Sequence, residues 1–135
     1  MVHIDLKYLG DLEMEAIHGP SKVRITTDAP VDNQGKGRSF SPTDLASTAL
    51  GACMATIMGI VARRDQIELT GMTVTVDKTM TKTTPRRIER LDVKFKIPNV
   101  PSKEMRQKLM RAAETCPVHH SLHPDIVMNV EYEWI

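Results

Sequence analysis

The N-terminal residues follow a period of two. Val2, Ile4 and Leu6 alternate with His3, Asp5 and Lys7, and after Gly10-Asp11, Leu12 and Met14 alternate with Glu13 and Glu15. This is the pattern of strands with one face buried. Gly19-Pro20 punctuates it and Val23 and Ile25 resume it, so three strands are expected before residue 27. A polar stretch from Thr27 to Phe40 follows, holding Pro30, Asn33, Gly35, Gly37 and Arg38. Loops of that length inside compact domains tend to be functional or mobile.

Ser41 opens a helix: it can cap the free N–H groups, Pro42 suits the first helical position, and Asp44 completes a Ser-x-x-acid start. From Leu45 to Ala62 no residue is charged, and Arg63 and Arg64 close the segment where the helix dipole favours cations. That run reaches the lower length limit of a membrane span. Its small residues (Ala, Gly, Ser, Thr) and the lack of flanking aromatics point instead to a helix buried at the centre of a protein, or packed on a partner's copy. Met72, Val74 and Val76, then Leu91, Val93, Phe95 and Ile97, predict a hairpin turning near Thr83-Thr84-Pro85. Ser102 caps a second helix to about Thr115, with Met105, Leu109 and Ala112 as its apolar stripe. Cys116-Pro117 ends or kinks it. Met128, Val130, Tyr132 and Trp134 share one face of a last strand. Hairpins with separated helices predict an α+β fold. A helix from Ser41 to Arg64 spans about 36 Å. One small sheet covers little of its all-round apolar surface, so a homodimer wrapping both copies is expected.

Composition changes this picture little. The chain has 135 residues, 41% hydrophobic and 26% charged, which fits a single globular domain over 1–135. Its formal net charge is +1, from 18 Lys+Arg against 17 Asp+Glu. With no basic run, nucleic-acid and anionic-membrane partners are not expected. Two cysteines exclude a disulfide scaffold and a four-Cys zinc site. Asp5 and Lys7 break any signal-peptide core, so a cytoplasmic location is the expectation.

The candidate chemistry centres on the thiols. Cys53 lies mid-helix among small neighbours (Gly51-Ala52-Cys53-Met54-Ala55), where it either fills space or reacts. Cys116 lies at the helix break. Two such thiols, brought together only by the fold, are compatible with a peroxidatic and resolving pair and equally with two inert residues. Cys116, His119, His120 and His123 form the densest set of metal-type ligands, though at no standard spacing. An imidazole polarising Cys116 and plain exposed histidines are the alternatives. Arg38 could lower the pKa of a nearby thiolate, held by a carboxylate such as Asp44. A solvated loop charge and a simple cap are their structural readings.

Ser41-Pro42-Thr43-Asp44-Leu45, leading through Ala49-Leu50-Gly51-Ala52-Cys53, resembles the central helix of the osmotically inducible protein C and organic hydroperoxide resistance (OsmC/Ohr) superfamily. Cys116-Pro117-Val118 resembles its second cysteine motif, and the element order matches over essentially the whole chain. The resemblance implies antiparallel sheets around a long central helix in an intertwined homodimer, and thiol-dependent reduction of organic hydroperoxides without metal, flavin or haem. Cys53 would be the peroxidatic thiolate and Cys116 the resolving thiol. An external dithiol, in one branch a lipoylated protein, would regenerate both. The alternative is a non-enzymatic redox-sensing, small-ligand or metal-binding module. One position departs from the pattern. The Glu that clamps an Arg in the peroxidase branches, ten residues before the peroxidatic Cys, is Thr43 here. Asp44 is the nearest acid, Arg38 the first candidate cation and Arg24 the second. The chain thus sits nearer the OsmC-like branches.

Overall fold

The N-terminal alternation forms an antiparallel meander in the computed structural model, which describes residues 1–135. Its strands are β1 (Ile4–Gly10), β2 (Glu13–His18) and β3 (Arg24–Asp28), in that order. Gly10 opposes Glu13, leaving Asp11 and Leu12 as the turn, with φ of 52° and 65°. A two-residue turn with both φ positive carries the twist that antiparallel strands need. The register sets Leu6 beside Ala16, Tyr8 beside Met14 and Ala16 beside Ile25. One face is therefore apolar, and the other carries Lys7, Glu13, Glu15, Arg24 and Asp28. Ile4, Leu6, Tyr8 and Ile25 on the apolar face remain between 47% and 64% exposed.

These strands belong to the first of two compact units, Met1–Ala46; the second is Ser47–Ile135. The polar stretch after β3 is tied to itself. A 3-10 turn spans Val31–Asn33, the Gly37 N–H donates to the Ala29 carbonyl at 3.2 Å, and the Asp28 N–H donates to the Phe40 carbonyl at 3.1 Å. Gly35 is required here, because a side chain on it would collide with the Ala29 carbonyl.

Helix α1 (Pro42–Arg64) starts as its sequence predicts. The Asp44 N–H donates to Ser41 Oγ at 3.1 Å, and the Ser41 N–H donates to the Asp44 carboxylate at 2.9 Å. This is a reciprocal capping box. Beyond it, Leu50, Met54, Met58 and Ala62 form a buried row at steps of four. Gly51 completes the contact, since a Cβ there would lie 2.8 Å from Val76 Cγ2. On the opposite side Ala49, Ala52, Thr56 and Ile60 are exposed. By length and composition α1 is apolar enough to cross a membrane, yet its buried row makes it a core helix.

The sheet of the second unit is ordered β4 (Thr73–Met80), β5 (Ile88–Ile97), β6 (Val127–Trp134). Leu91, Val93, Phe95 and Ile97 are buried on β5. The Tyr132 ring stacks on Phe95 at 5.3 Å and on Trp134 at 6.2 Å. This sheet is mixed where an antiparallel one was expected. β5 and β4 pair antiparallel, but β6 runs parallel to β5, because two helices carry the chain back to the start of β5 before β6 begins. The first of these is α2 (Lys103–Glu114), capped by Ser102 Oγ accepting from the Met105 N–H. The second, α3 (Pro117–Ser121), forms where only a helix break was expected.

Candidate functional site

The row of apolar residues on α2 explains where Cys116 goes. Leu109 and Ala113 are fully buried, and Cys116 continues their spacing by three, so the thiol enters the core although α2 has already ended. Pro117 then starts α3, and Cys116 caps it: the His119 N–H donates to Sγ at 3.2 Å. Cys116 is 0% exposed. Cys53, three residues on from the buried Leu50, lies on the flank of the α1 row and is half-buried.

The two thiols meet. They lie close enough for Cys53 to perturb Cys116, and neither is in a disulfide. Burial pushes the Cys116 thiol above its ordinary pKa, the N–H groups of His119 and Val118 pull it back, and the contact with Cys53 pushes it up again. The neutral thiol is therefore the favoured form of Cys116. Two neighbouring thiols need little movement to become a disulfide.

Arg38 occupies the polar face of the first sheet. Its Nε donates to Asp28 Oδ2 at 2.8 Å and its Nη2 to Oδ1 at 3.2 Å, while the Arg38 backbone N–H also donates to Oδ2. Nη2 donates further to the Asp11 carbonyl at 3.0 Å, and Glu13 lies within 3.5 Å. Hydrogen bonds from Arg38 hold the Asp28 carboxyl far below the usual carboxylate range despite its burial. The bidentate carboxylate is thus Asp28, while Asp44 accepts from Ser41 in the α1 cap. The sequence carried one signal for Asp28: an acid on the polar face of β3, where the strand enters the Arg38 loop. Arg24, the second candidate, pairs with Glu15 across the sheet at 3.0 Å.

The histidine tract does not gather as a ligand set. No three of the His, Cys, Asp and Glu side chains converge as metal ligands would. The rings of His119 and His120 meet edge to face at 5.5 Å. They line an open groove of about 570 Å³ with Leu122, Pro124, Ile126 and Met128. His123 turns away, its Nδ1 accepting from the Asp125 N–H.

Residues 35–131 match the family described as OsmC-like protein. The chain belongs to the OsmC-like family. The matched region holds Arg38, Asp44, Cys53 and Cys116 together. Among solved structures, a candidate osmotic stress induced and detoxification response protein from Psychrobacter arcticus is 43% identical, with a TM-score of 0.93 over 98% of this chain and 96% of that one. An OsmC-like protein from Mycoplasma pneumoniae shares the fold at 18% identity, with a TM-score of 0.83 over 100% and 97% of the two chains. The organic hydroperoxide resistance protein OhrB of Bacillus subtilis does so at 15% identity, with a TM-score of 0.70 over 98% of each. No curated protein matches the sequence.

Proposed function

We propose that this OsmC-like chain is a two-cysteine thiol peroxidase that reduces organic hydroperoxides in the cytoplasm, as a homodimer. The observation that carries the reading is the proximity of Cys53 and Cys116. Two thiols far apart in the sequence, one on α1 and one between α2 and α3, lie side by side.

The Cys53 thiolate attacks the distal oxygen of the hydroperoxide, and the O–O bond breaks. The alkoxide leaves with a proton as an alcohol, and Cys53 becomes a sulfenic acid. Cys116 attacks that sulfur, hydroxide leaves as water after protonation, and a disulfide forms. An external dithiol reduces it. The half-buried flank position of Cys53 suits the thiol that meets the peroxide, and the buried position of Cys116 suits the thiol that meets only its neighbour. Arg38, with Asp28 fixing its guanidinium, is the cation proposed to assist Cys53.

Two uncovered surfaces support the dimer: the apolar face of the first sheet and the Ala49, Ala52, Thr56, Ile60 stripe of α1. Burying such surface against a second copy removes it from water at about 25 cal/mol per Å². Consumption of cumene hydroperoxide with dihydrolipoamide as the reductant tests the activity. Turnover by the parent and none by Cys53→Ser is expected; a parent that consumes no hydroperoxide overturns the reading.

A further inference from the structure

The hairpin between β4 and β5 ends in a basic tip. Lys82-Thr83-Thr84-Pro85-Arg86-Arg87 holds three cations and no acid, and all six residues are exposed. Without these three, the chain's 18 Lys+Arg against 17 Asp+Glu would leave an acidic molecule, so the tip decides the sign of the net charge. The tip is also held in shape. The Thr81 N–H donates to the Arg87 carbonyl at 2.9 Å, the Arg87 N–H donates to Thr81 Oγ1 at 3.0 Å, and Arg87 Nη1 donates to the Ile88 carbonyl at 3.0 Å. Pro85 fixes one more backbone angle. A partner that meets this surface therefore has little of it to order on binding.

Within the second unit, the tip shares one end of the sheet with the segment that carries Cys116. Arg90, three residues past the tip, pairs with Val127, the first residue of β6. The chain enters β6 from α3, whose cap is Cys116, and Met128 lines one groove with His119 and His120. On β4, Val76 lies against Gly51, two residues before Cys53. Six residues of extended chain from Val76 to Lys82 cover about 20 Å, less than the roughly 30 Å width of a small domain. None of the tip residues belongs to the two surfaces assigned to the second copy, the apolar face of the first sheet and the open stripe of α1.

The charge pattern fits an acidic protein face better than a long polyanion. Proteins that hold duplex nucleic acid firmly make about six to ten phosphate contacts, and anionic membranes are recognised by clusters of about four to eight cations. The tip offers three. Behind it, Asp77, Asp92 and Glu131 line one hollow of the sheet's polar face, and Glu89 is exposed beside it. An extended negative surface would meet repulsion there, whereas a small acidic patch meets the tip alone. We propose that Lys82, Arg86 and Arg87 form the docking surface for an acidic face of the protein that carries the reducing dithiol. The proposal rests on the two-cysteine reading above and adds to it the surface chemistry of the partner. The tip's field draws that partner to the end of the sheet near the thiols, and the gain is in the rate of encounter, which salt screens.

The test forms the disulfide of the full-length protein with diamide, so no peroxide enters. Its reduction is then timed at low and at physiological salt with two reductants, a reduced lipoylated domain of net negative charge and free dihydrolipoamide. The parent is compared with Arg86→Glu/Arg87→Glu, with Lys82→Glu, and with Lys103→Glu/Arg111→Glu on α2 as a control of equal charge change. Circular dichroism checks that each variant is folded. Charge reversal at the tip should slow reduction by the domain roughly tenfold at low salt and flatten its salt dependence. The rate with dihydrolipoamide should stay at the parent's value, and the α2 control should behave as the parent with both reductants. Equal slowing with dihydrolipoamide, equal slowing in the α2 control, or no slowing at all overturns the proposal. So does a domain with no salt-dependent advantage over dihydrolipoamide on the parent, or a protein in which diamide forms no disulfide. Retention of the parent but not the tip variant by a DNA duplex or by phosphatidylserine vesicles at physiological salt would also overturn it, by making the tip a polyanion site. A tip effect seen with the domain in a protein that consumes no hydroperoxide would keep the docking surface and lose the peroxidase reading. Turnover with dihydrolipoamide and no tip effect would do the reverse.

Discussion

Replacing Gly51 and Gly59, one at a time, with Ala asks α1 what each glycine is for. Both lie inside the helix, where Gly costs about 1 kcal/mol relative to Ala through backbone entropy. Their surroundings differ. A Cβ at Gly51 would meet Val76 Cγ2 at 2.8 Å and Val74 Cγ1 at 3.2 Å, whereas a Cβ at Gly59 meets nothing within 4 Å. The opposing methyl groups sit on β-branched side chains with a stiff χ1, so they give way only if β4 or α1 shifts. Overpacking of this kind costs about 1–3 kcal/mol, and a first contact below 3 Å argues for the upper half of that range. After the gain in propensity, Gly51→Ala should destabilise the protein by about 1–2 kcal/mol. Gly59→Ala should stabilise it by about 0.5–1 kcal/mol, the propensity gain alone. At about 4 °C per kcal/mol for a chain of this size, the two variants should melt roughly 6–12 °C apart in thermal scans followed by circular dichroism. A Gly51→Ala variant as stable as the parent would refute the close approach of α1 to β4. Gly59→Leu carries the same logic to the assembly. Its Cβ meets nothing within 4 Å in the chain, so a shift from dimer to monomer in sedimentation, with the fold retained by circular dichroism, would locate Gly59 at a partner contact.

The remaining predictions concern the thiols and Arg38. Cys116→Ser should leave the first oxidation of Cys53 intact and stop turnover, with Cys53 accumulating as sulfenic or higher oxides in intact-mass spectra; undiminished turnover would remove Cys116 from the cycle. Arg38→Ala should slow alkylation of Cys53 by iodoacetamide at pH 7, whereas Arg63→Ala should not, and equal rates in both variants and the parent would make Arg38 a structural charge only. Asp28, whose carboxyl is held well below the ordinary range by Arg38, should contribute stability that is fully present above its unfolded value of about 3.9. That contribution is lost as the pH falls from there towards the depressed folded value. The parent should therefore exceed Asp28→Asn in urea midpoint at pH 7 and pH 5, with the gap narrowing by pH 3. A gap unchanged at pH 3 would refute the charge pairing.

Local rules determined much of this protein. A period of two placed the strands because side chains alternate across a pleated sheet. Ser41-Pro42-x-Asp44 and Ser102 fixed where α1 and α2 begin, because capping satisfies N–H groups within three residues. The two cysteine motifs were legible for the same reason, each contained within a helix or its end. The tertiary structure decided what these rules do not reach. The α2 stripe was read as Met105, Leu109 and Ala112, but the packed row is Leu109, Ala113 and Cys116, because the helix rotates to place Cys116 in the core. β6 pairs parallel because α2 and α3 carry the chain across the sheet, a return path that strand periodicity does not encode. Asp28 rather than Asp44 grips Arg38 through both oxygens, since β3 and the loop after it fold back on each other while Asp44 serves the cap. The contact between Cys53 and Cys116 is of the same kind. Periodicity assigns each thiol to a face of its own element, and only the packing of those elements brings the two faces together.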